Sequence, residues 1–155
     1  MQKRVVAPPS PQEMAPVDWL DVEALANVEL TSEDVAHPIE AALAPGGRAG
    51  WRAEEPGSQS IRLLFHSPQR LRRMRLRFEE PEVERTQEFA LRWSSDRGRT
   101  FRDIVRQQYT FSPAGATREV EELTVDLASV TAIELTINPG QQGGAYASLA
   151  EWRMA

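Results

Sequence analysis

The stretch Ile61 to Phe78, IRLLFHSPQRLRRMRLRF, decides the fold. Ile61, Leu63 and Phe65 alternate with other residues, and Met74, Leu76 and Phe78 do so again. Successive side chains of a strand point to opposite faces, so this period of two predicts two half-buried strands rather than a helix. Arg73, Arg75 and Arg77 fall on the face opposite Met74, Leu76 and Phe78. They are expected to lie outward and to pair across strands with carboxylates such as Glu88 and those of the Glu79 to Glu84 segment.

The same period continues downstream. Phe89, Leu91 and Trp93 form one face; Val120, Leu123, Val125 and Leu127 follow, then Ile133, Leu135 and Ile137. The closing segment, ASLAEWRM from Ala147 to Met154, reads as the last strand. Upstream, Val17 to Leu25 predicts a short helix started by Asp18, and ANVELT, Ala26 to Thr31, alternates as a strand should. His37 to Leu43 permits about one helical turn because Pro38 suits a first helical position. PGGRAG, Pro45 to Gly50, is a loop.

About eight strands with short polar turns and little helix predict an all-β protein, an antiparallel β-sandwich or jelly roll with a short N-terminal helix. Residues 1–17 hold Pro8, Pro9, Pro11 and Pro16 with little apolar content and read as an extended tail, leaving 18–155 as one domain. No internal repeat marks a solenoid or propeller.

Composition bounds the function. The net charge of −5, from 23 acidic and 18 basic residues, does not favour nucleic acid or an anionic membrane as a partner. Lys3 is the one lysine among those basic residues, and the rest are arginines. Absence of cysteine excludes disulfides and thiolate metal sites, and no run is apolar enough for a secretory signal or a membrane span. The expectation is a cytoplasmic protein. Catalysis has little to stand on: His37 and His66 are the only histidines, and no nucleophile elbow, zinc motif or phosphate loop is present. The chain is read as no enzyme, with no catalytic residues.

Four segments, taken in order, resemble the discoidin or coagulation-factor C-type domains of the galactose-binding-like jelly rolls. They are the strand leading into TSED (Thr31 to Asp34) and PIEAAL; a loop ending in GWRA (Gly50 to Ala53); the stretch Ile61 to Phe78; and FALRWSSDRGRTF (Phe89 to Phe101). The closing SLAEWRM is similar to the family's final strand, so the resemblance spans roughly residues 26–154. It implies an accessory module that binds glycans, phospholipid headgroups or proteins through loops at one end of the sandwich. It also implies, for many members, a structural calcium ion in the loop before the tryptophan, helped by an acidic residue near the C-terminus. Here that loop has no aspartate and carries Arg48, which opposes a cation. Glu151 and backbone carbonyls offer only part of a shell, so no metal and no cofactor are expected.

SSDRGRTF, Ser94 to Phe101, also matches the Asp-box of sialidase-type propellers. One copy in a chain of this length reads as a stabilised turn, with Asp96 accepting from turn amides, Gly98 at positive φ and Phe101 returning to the core. Trp51 has two readings, a buried core residue or a stacking platform for a sugar ring. Trp93 is expected in the core.

Two functional readings remain open. The first is a non-catalytic binding module for a carbohydrate or similar polar ligand. Its candidate ligand-binding residues are Arg48, Arg52, Arg97, Arg99, Gln141 and Gln142, with Trp51 as platform, all able to present planar or forked groups from loops. The second is an intracellular protein-interaction or scaffold domain using the Arg stripe or the tail. Neither the oligomeric state nor the sandwich end that carries the site is read from the sequence.

Overall fold

In the computed structural model, which describes residues 2–4, 18–44, 50–141 and 144–155, the stretch that decides the fold is one strand of 21 residues rather than two. The elements are α1 (Val22–Leu25), β1 (Ala26–Leu30), α2 (Glu40–Leu43), β2 (Trp51–Arg52), β3 (Gln59–Glu79), β4 (Arg85–Ser94), β5 (Arg102–Phe111), β6 (Arg118–Asn138), β7 (Ser148–Leu149) and β8 (Glu151–Met154). Among the candidates, Arg48 and Gln142 lie outside the described residues, as does the expected tail apart from residues 2–4.

β3 and β6 pair antiparallel along their whole length as a two-stranded ribbon. Between Leu64↔Ala132 and Gln69↔Val130 the ribbon's register slips, and it slips again before Arg73↔Thr124. His66, Ser67 and Pro68 swing out at the first slip and are exposed. Pro68 has no N–H to give a ladder, so this is where a continuous strand can bend. The bend explains why the sequence reads as two strands: the local pattern of a bend and that of a turn are alike. β6 replaces two predicted strands in the same way.

The bend folds the ribbon over on itself. Its first half joins the order β1-β3-β6-β4-β5, and its second half takes β8 along the other side of β3. Phe78 of the far half meets Phe89 of β4 with ring centroids 5.1 Å apart, so the two halves face each other as the layers of a sandwich. Between them Ile61, Leu63, Phe65, Met74, Leu76, Phe78, Phe89, Leu91, Ile133, Leu135, Ile137 and Trp152 are buried. Each such side chain contributes about 1.5–3 kcal/mol on leaving water. The expected antiparallel β-sandwich of jelly-roll type is therefore the observed architecture.

Several local expectations are corrected. The helix covers only Val22–Leu25, and its cap is Asp21, whose carboxylate accepts from the Ala24 N–H, rather than Asp18. The strand expected over Ala147 to Met154 is two short ones, β7 and β8, interrupted at Ala150, whose N–H turns to the Arg77 carbonyl. Val120 does not share a face with Leu123: the odd spacing sends Val120 outward and leaves Glu119 and Glu121 on the half-buried side with Leu123, Val125 and Leu127. Trp93 is half-buried, because it lies near the end of β4, with the Arg102 guanidinium 5.7 Å from its ring.

β2 and β7 form a small separate ladder, Trp51↔Leu149 and Arg52↔Ser148. Gly50 permits it: its φ is +66°, and a Cβ there would sit 2.4 Å from the Leu149 carbonyl oxygen. Gly57 also has positive φ, +90°, but a Cβ there would meet nothing within 4 Å. Gly50→Ala is therefore expected to cost about 2 kcal/mol or more, against about 1–2 kcal/mol for Gly57→Ala. Urea unfolding of both variants measures the difference, and equal losses would show that the β2–β7 approach gives way easily.

Candidate functional site

The sandwich has two unlike ends. At one, Leu30, Gln59, Arg85, Phe111 and Asn138 finish or begin strands, and the connections 53–58, 80–84, 112–117 and 139–147 gather there. The other end holds the ribbon bend and the turn from Ser94 to Phe101. The candidates divide between them: Arg52 and Gln141 lie at the first end, Arg97 and Arg99 at the second.

The turn at the second end is closed on itself. Asp96 accepts from the Ser94 hydroxyl (2.6 Å), the Thr100 hydroxyl (2.6 Å) and the Thr100 N–H (2.9 Å). These bonds, the Ser94 one first, hold its carboxyl well below the usual range. Gly98 has the expected positive φ, and so does Arg97, whose N–H donates to the Thr131 hydroxyl at 2.8 Å. Phe101, however, does not return to the core. It folds over the outer face of the sheet, between the guanidinium groups of Arg62 (4.9 Å) and Arg92 (4.8 Å). Both arginines bind the buried Glu134: Arg62 Nη2 at 2.7 Å, Arg92 Nε at 3.2 Å and Arg92 Nη2. Arg97 and Arg99 are exposed, and neither lines a cavity described here.

The first end carries the largest described cavity, of about 500 Å³. Its lining comes from three distant parts of the chain: Arg52 on β2; Glu79 at the end of β3 with Glu80, Pro81, Glu82 and Val83 after it; and Gly144, Ala145, Tyr146 and Ser148 around β7. The β2–β7 ladder sets Arg52 beside Ser148, and the Ala53 N–H donates to the Ala147 carbonyl at 2.9 Å. Arg52 is clamped through its backbone, its N–H donating to the His37 carbonyl (3.2 Å) and its carbonyl accepting from the Asp34 N–H (2.9 Å). Its guanidinium lies 5.2 Å from the centroid of Tyr146, which is 38% exposed. Val83, 45% exposed, adds an apolar wall.

Arg85 ties the cavity to the core. It is 2% exposed and shares the inward face of β4 with Gln87, Phe89 and Leu91. Its guanidinium donates to Glu80 Oε1 (2.8 Å), Gln87 Oε1 (2.6 Å) and the Pro139 carbonyl (3.0 Å), over the Phe111 ring. One side chain thus anchors both the 80–84 connection and the start of the 139–147 connection. Gln87 in turn donates to the Tyr109 hydroxyl (2.8 Å), and burial pushes that hydroxyl far above its usual range.

Trp51 is corrected as a platform. It is 1% exposed and its indole N–H donates to the Ser32 carbonyl at 3.2 Å, so it offers no face to a ligand. Gln141 is exposed in the 139–147 connection but is not among the cavity's lining residues. The arginine stripe does lie outward and paired, although its partners are Glu122, Glu151 and Glu79 rather than Glu88, which binds Arg106. Residues 45–49 of the loop that the resemblance offers to calcium lie outside the described residues. Glu151 is engaged by Arg75 and Arg77, and Arg153 Nη1 donates to the Leu43 carbonyl at 2.9 Å, where the loop begins. Among the described residues no group of acidic residues and histidines is arranged to hold a metal.

Sequence reasoning missed Tyr146, Arg85 and Glu134. An aromatic in the glycine-rich segment PGQQGGAYAS was a usable signal for Tyr146, and a lone carboxylate in the apolar run VTAIELTI for Glu134. Nothing marked Arg85.

No family model matches the sequence, and no curated protein does. Solved structures of similar shape exist. A pectin-binding carbohydrate-binding module superposes with a TM-score of 0.62 at 18% identity, covering 84% of this chain and 89% of that one. A carbohydrate-binding module of family 32 from Clostridium perfringens, in complex with GalNAc-β-1,3-galactose, gives 0.63 at 19%, covering 88% and 99%. Reduced XRCC1 bound to the DNA polymerase β catalytic domain gives 0.64 at 12%, covering 84% and 95%. The chain therefore shares the jelly-roll fold of these structures.

The Glu134 cluster makes stability pH-dependent in a defined direction. Burial pushes its carboxyl up, but the hydrogen bonds from Arg62 and Arg92 outweigh this and hold it below its ordinary 4.5. An acid that is stronger in the folded state contributes fully above its unfolded pKa and loses that contribution as pH falls through the folded value. Glu134→Gln is expected to cost about 1–3 kcal/mol near neutral pH. The gap to wild type should narrow as pH drops below 4.5. Urea titrations at neutral and acidic pH check this, and a gap that stays constant would place the cost in packing rather than charge.

Proposed function

We propose that this protein is a non-catalytic carbohydrate-binding module whose ligand sits in the cavity lined by Arg52, Val83 and Tyr146. The observation that carries the reading is that cavity's chemistry. A sugar ring has apolar C–H faces and a rim of hydroxyls, so its site needs partly exposed apolar surface beside fixed donors and acceptors. Tyr146 and Val83 supply the first, and Arg52, Ser148 and the glutamates of the 79–82 segment supply the second.

The cavity is also preorganised. Glu80 on one wall is held by buried Arg85, the Tyr146 wall is held by the β2–β7 ladder and by the Gly57 N–H donating to the Ala145 carbonyl, and the Arg52 backbone is hydrogen-bonded on either side, so little ordering entropy is left to lose on binding. The similarity to carbohydrate-binding modules supports the same reading. The alternative, a protein-interaction domain docking through the arginine stripe, has less to use, because each of those arginines already faces a carboxylate.

Tyr146→Ala tests the proposal. Removing a partly exposed ring should leave the melting temperature within a few degrees while glycan affinity falls about tenfold or more. A glycan array followed by calorimetry on the best ligand reads both. Wild-type affinity in the variant would place the ligand elsewhere, and a wild-type protein that binds no glycan would end the carbohydrate reading.

A further inference from the structure

We infer that the cavity selects a saccharide bearing a carboxylate, read by Arg52; this rests on the carbohydrate reading and specifies its ligand class. The charges of the lining lead there. Glu79 is bound by Arg77 at 2.9 Å and Glu80 by Arg85 at 2.8 Å, so those two carboxylates are neutralised by the protein itself. Arg52 makes no ion pair or side-chain hydrogen bond among the described residues. Among the described lining residues it is the one cation; after the bonds from the Ala36 N–H and His37, its charge helps to hold the Asp34 carboxyl below the ordinary range, but no described carboxylate pairs with it directly.

Its placement favours a planar anion. The guanidinium carbon lies 5.2 Å from the centroid of the Tyr146 ring, a cation–π contact that gives none of its N–H donors an oxygen partner. The guanidinium donors have no oxygen partner among the described residues, and two parallel N–H bonds of such a fork match the two oxygens of a carboxylate. The clamped Arg52 backbone and the ring together hold that fork in place without occupying it. A neutral hydroxyl would use a single N–H and leave the charge uncompensated.

The remaining lining limits how much negative charge is welcome. Glu82 is exposed and has no cationic partner among the described residues, and the chain carries a net charge of −5. A dense polyanion such as a heavily sulfated glycan meets repulsion from both. One carboxylate per sugar, set against Arg52 with the sugar ring against Val83 and hydroxyls toward the glutamates, uses the cation, the apolar wall and the acceptors of the lining.

The test is an array of uronic-acid oligosaccharides, covering galacturonate, glucuronate, mannuronate and guluronate, each beside its carboxyl-reduced neutral counterpart, with sulfated and neutral glycans on the same surface. Wild-type protein should bind at least one uronate about tenfold or more tighter than its reduced counterpart, with affinity that weakens as salt is added. Arg52→Met, which keeps the stem and removes the fork, should abolish that preference. If Arg52→Met does not fold, the carboxyl-reduced ligands still decide the matter with the wild-type protein. Equal binding of acidic and reduced forms, or a preference for sulfated glycans, overturns this inference and leaves the carbohydrate reading standing. Binding to no glycan at all overturns both.

Discussion

The constraint on which the rest of this structure depends is that a two-stranded ribbon cannot bury its own apolar face. β3 and β6 run together for 21 residues each, and every inward side chain along them needs a second layer. Folding the ribbon at Pro68 supplies that layer from the same two strands. The first half of β3 with the second half of β6 then presents one layer, the second half of β3 with the first half of β6 presents the other, and β1, β4, β5 and β8 extend layers already opposed. The fold also sends both free ends of the ribbon back to one end of the sandwich, which is why the 80–84, 112–117 and 139–147 connections meet there. The cavity is a consequence of where the ribbon bends.

Gathering connections at one end creates a second problem, since their backbone groups lie near the core without a ladder to satisfy them. Arg85 solves it at a cost. Burying a guanidinium is expensive unless its donors are met, and here they are met by a carboxylate, an amide oxygen and a backbone carbonyl. The arrangement makes the geometry of the site depend on the core. Movement of β4 relative to Pro139 would cost a buried guanidinium one of its hydrogen bonds, and movement of Glu80 would leave its charge unpaired.

The sequence showed the fold class because side-chain alternation is a backbone property that survives without knowledge of partners. It showed much less of the connectivity. The pattern around HSP is the same whether the chain turns or merely bends, and only long-range pairing distinguishes them. Inward and outward assignments held for Ile61, Leu63, Phe65, Met74, Leu76 and Phe78, where the spacing is strictly even. They failed at Val120, where an odd spacing to Leu123 was read across. Phe101 was misplaced because an aromatic after a tight turn fits either face, and two arginines stacking on it make the outer face the stable one. The site was the least legible part. Arg52 was named, but Tyr146 and Val83 become its neighbours only through the β2–β7 ladder and the ribbon fold, neither of which is local.

That the end with the connections, rather than the one with the Asp96 turn, is proposed for the ligand follows from what each has left to give. In the turn, Asp96 is consumed by Ser94 and Thr100, Gly98 donates to the Ser94 hydroxyl, and Thr131 bridges Arg97 to the Ser94 carbonyl. Nearby, Arg62, Arg92 and Glu134 satisfy one another. Such a network is rigid but saturated, and a ligand there would have to displace bonds as good as those it could make. At the other end the structural arginine and its partners lie beneath the surface, while Arg52, Glu82 and the exposed part of Tyr146 stand above them without partners of equal strength. A site of this kind arises where rigidity is supplied from below and the hydrogen-bonding capacity above is left unspent.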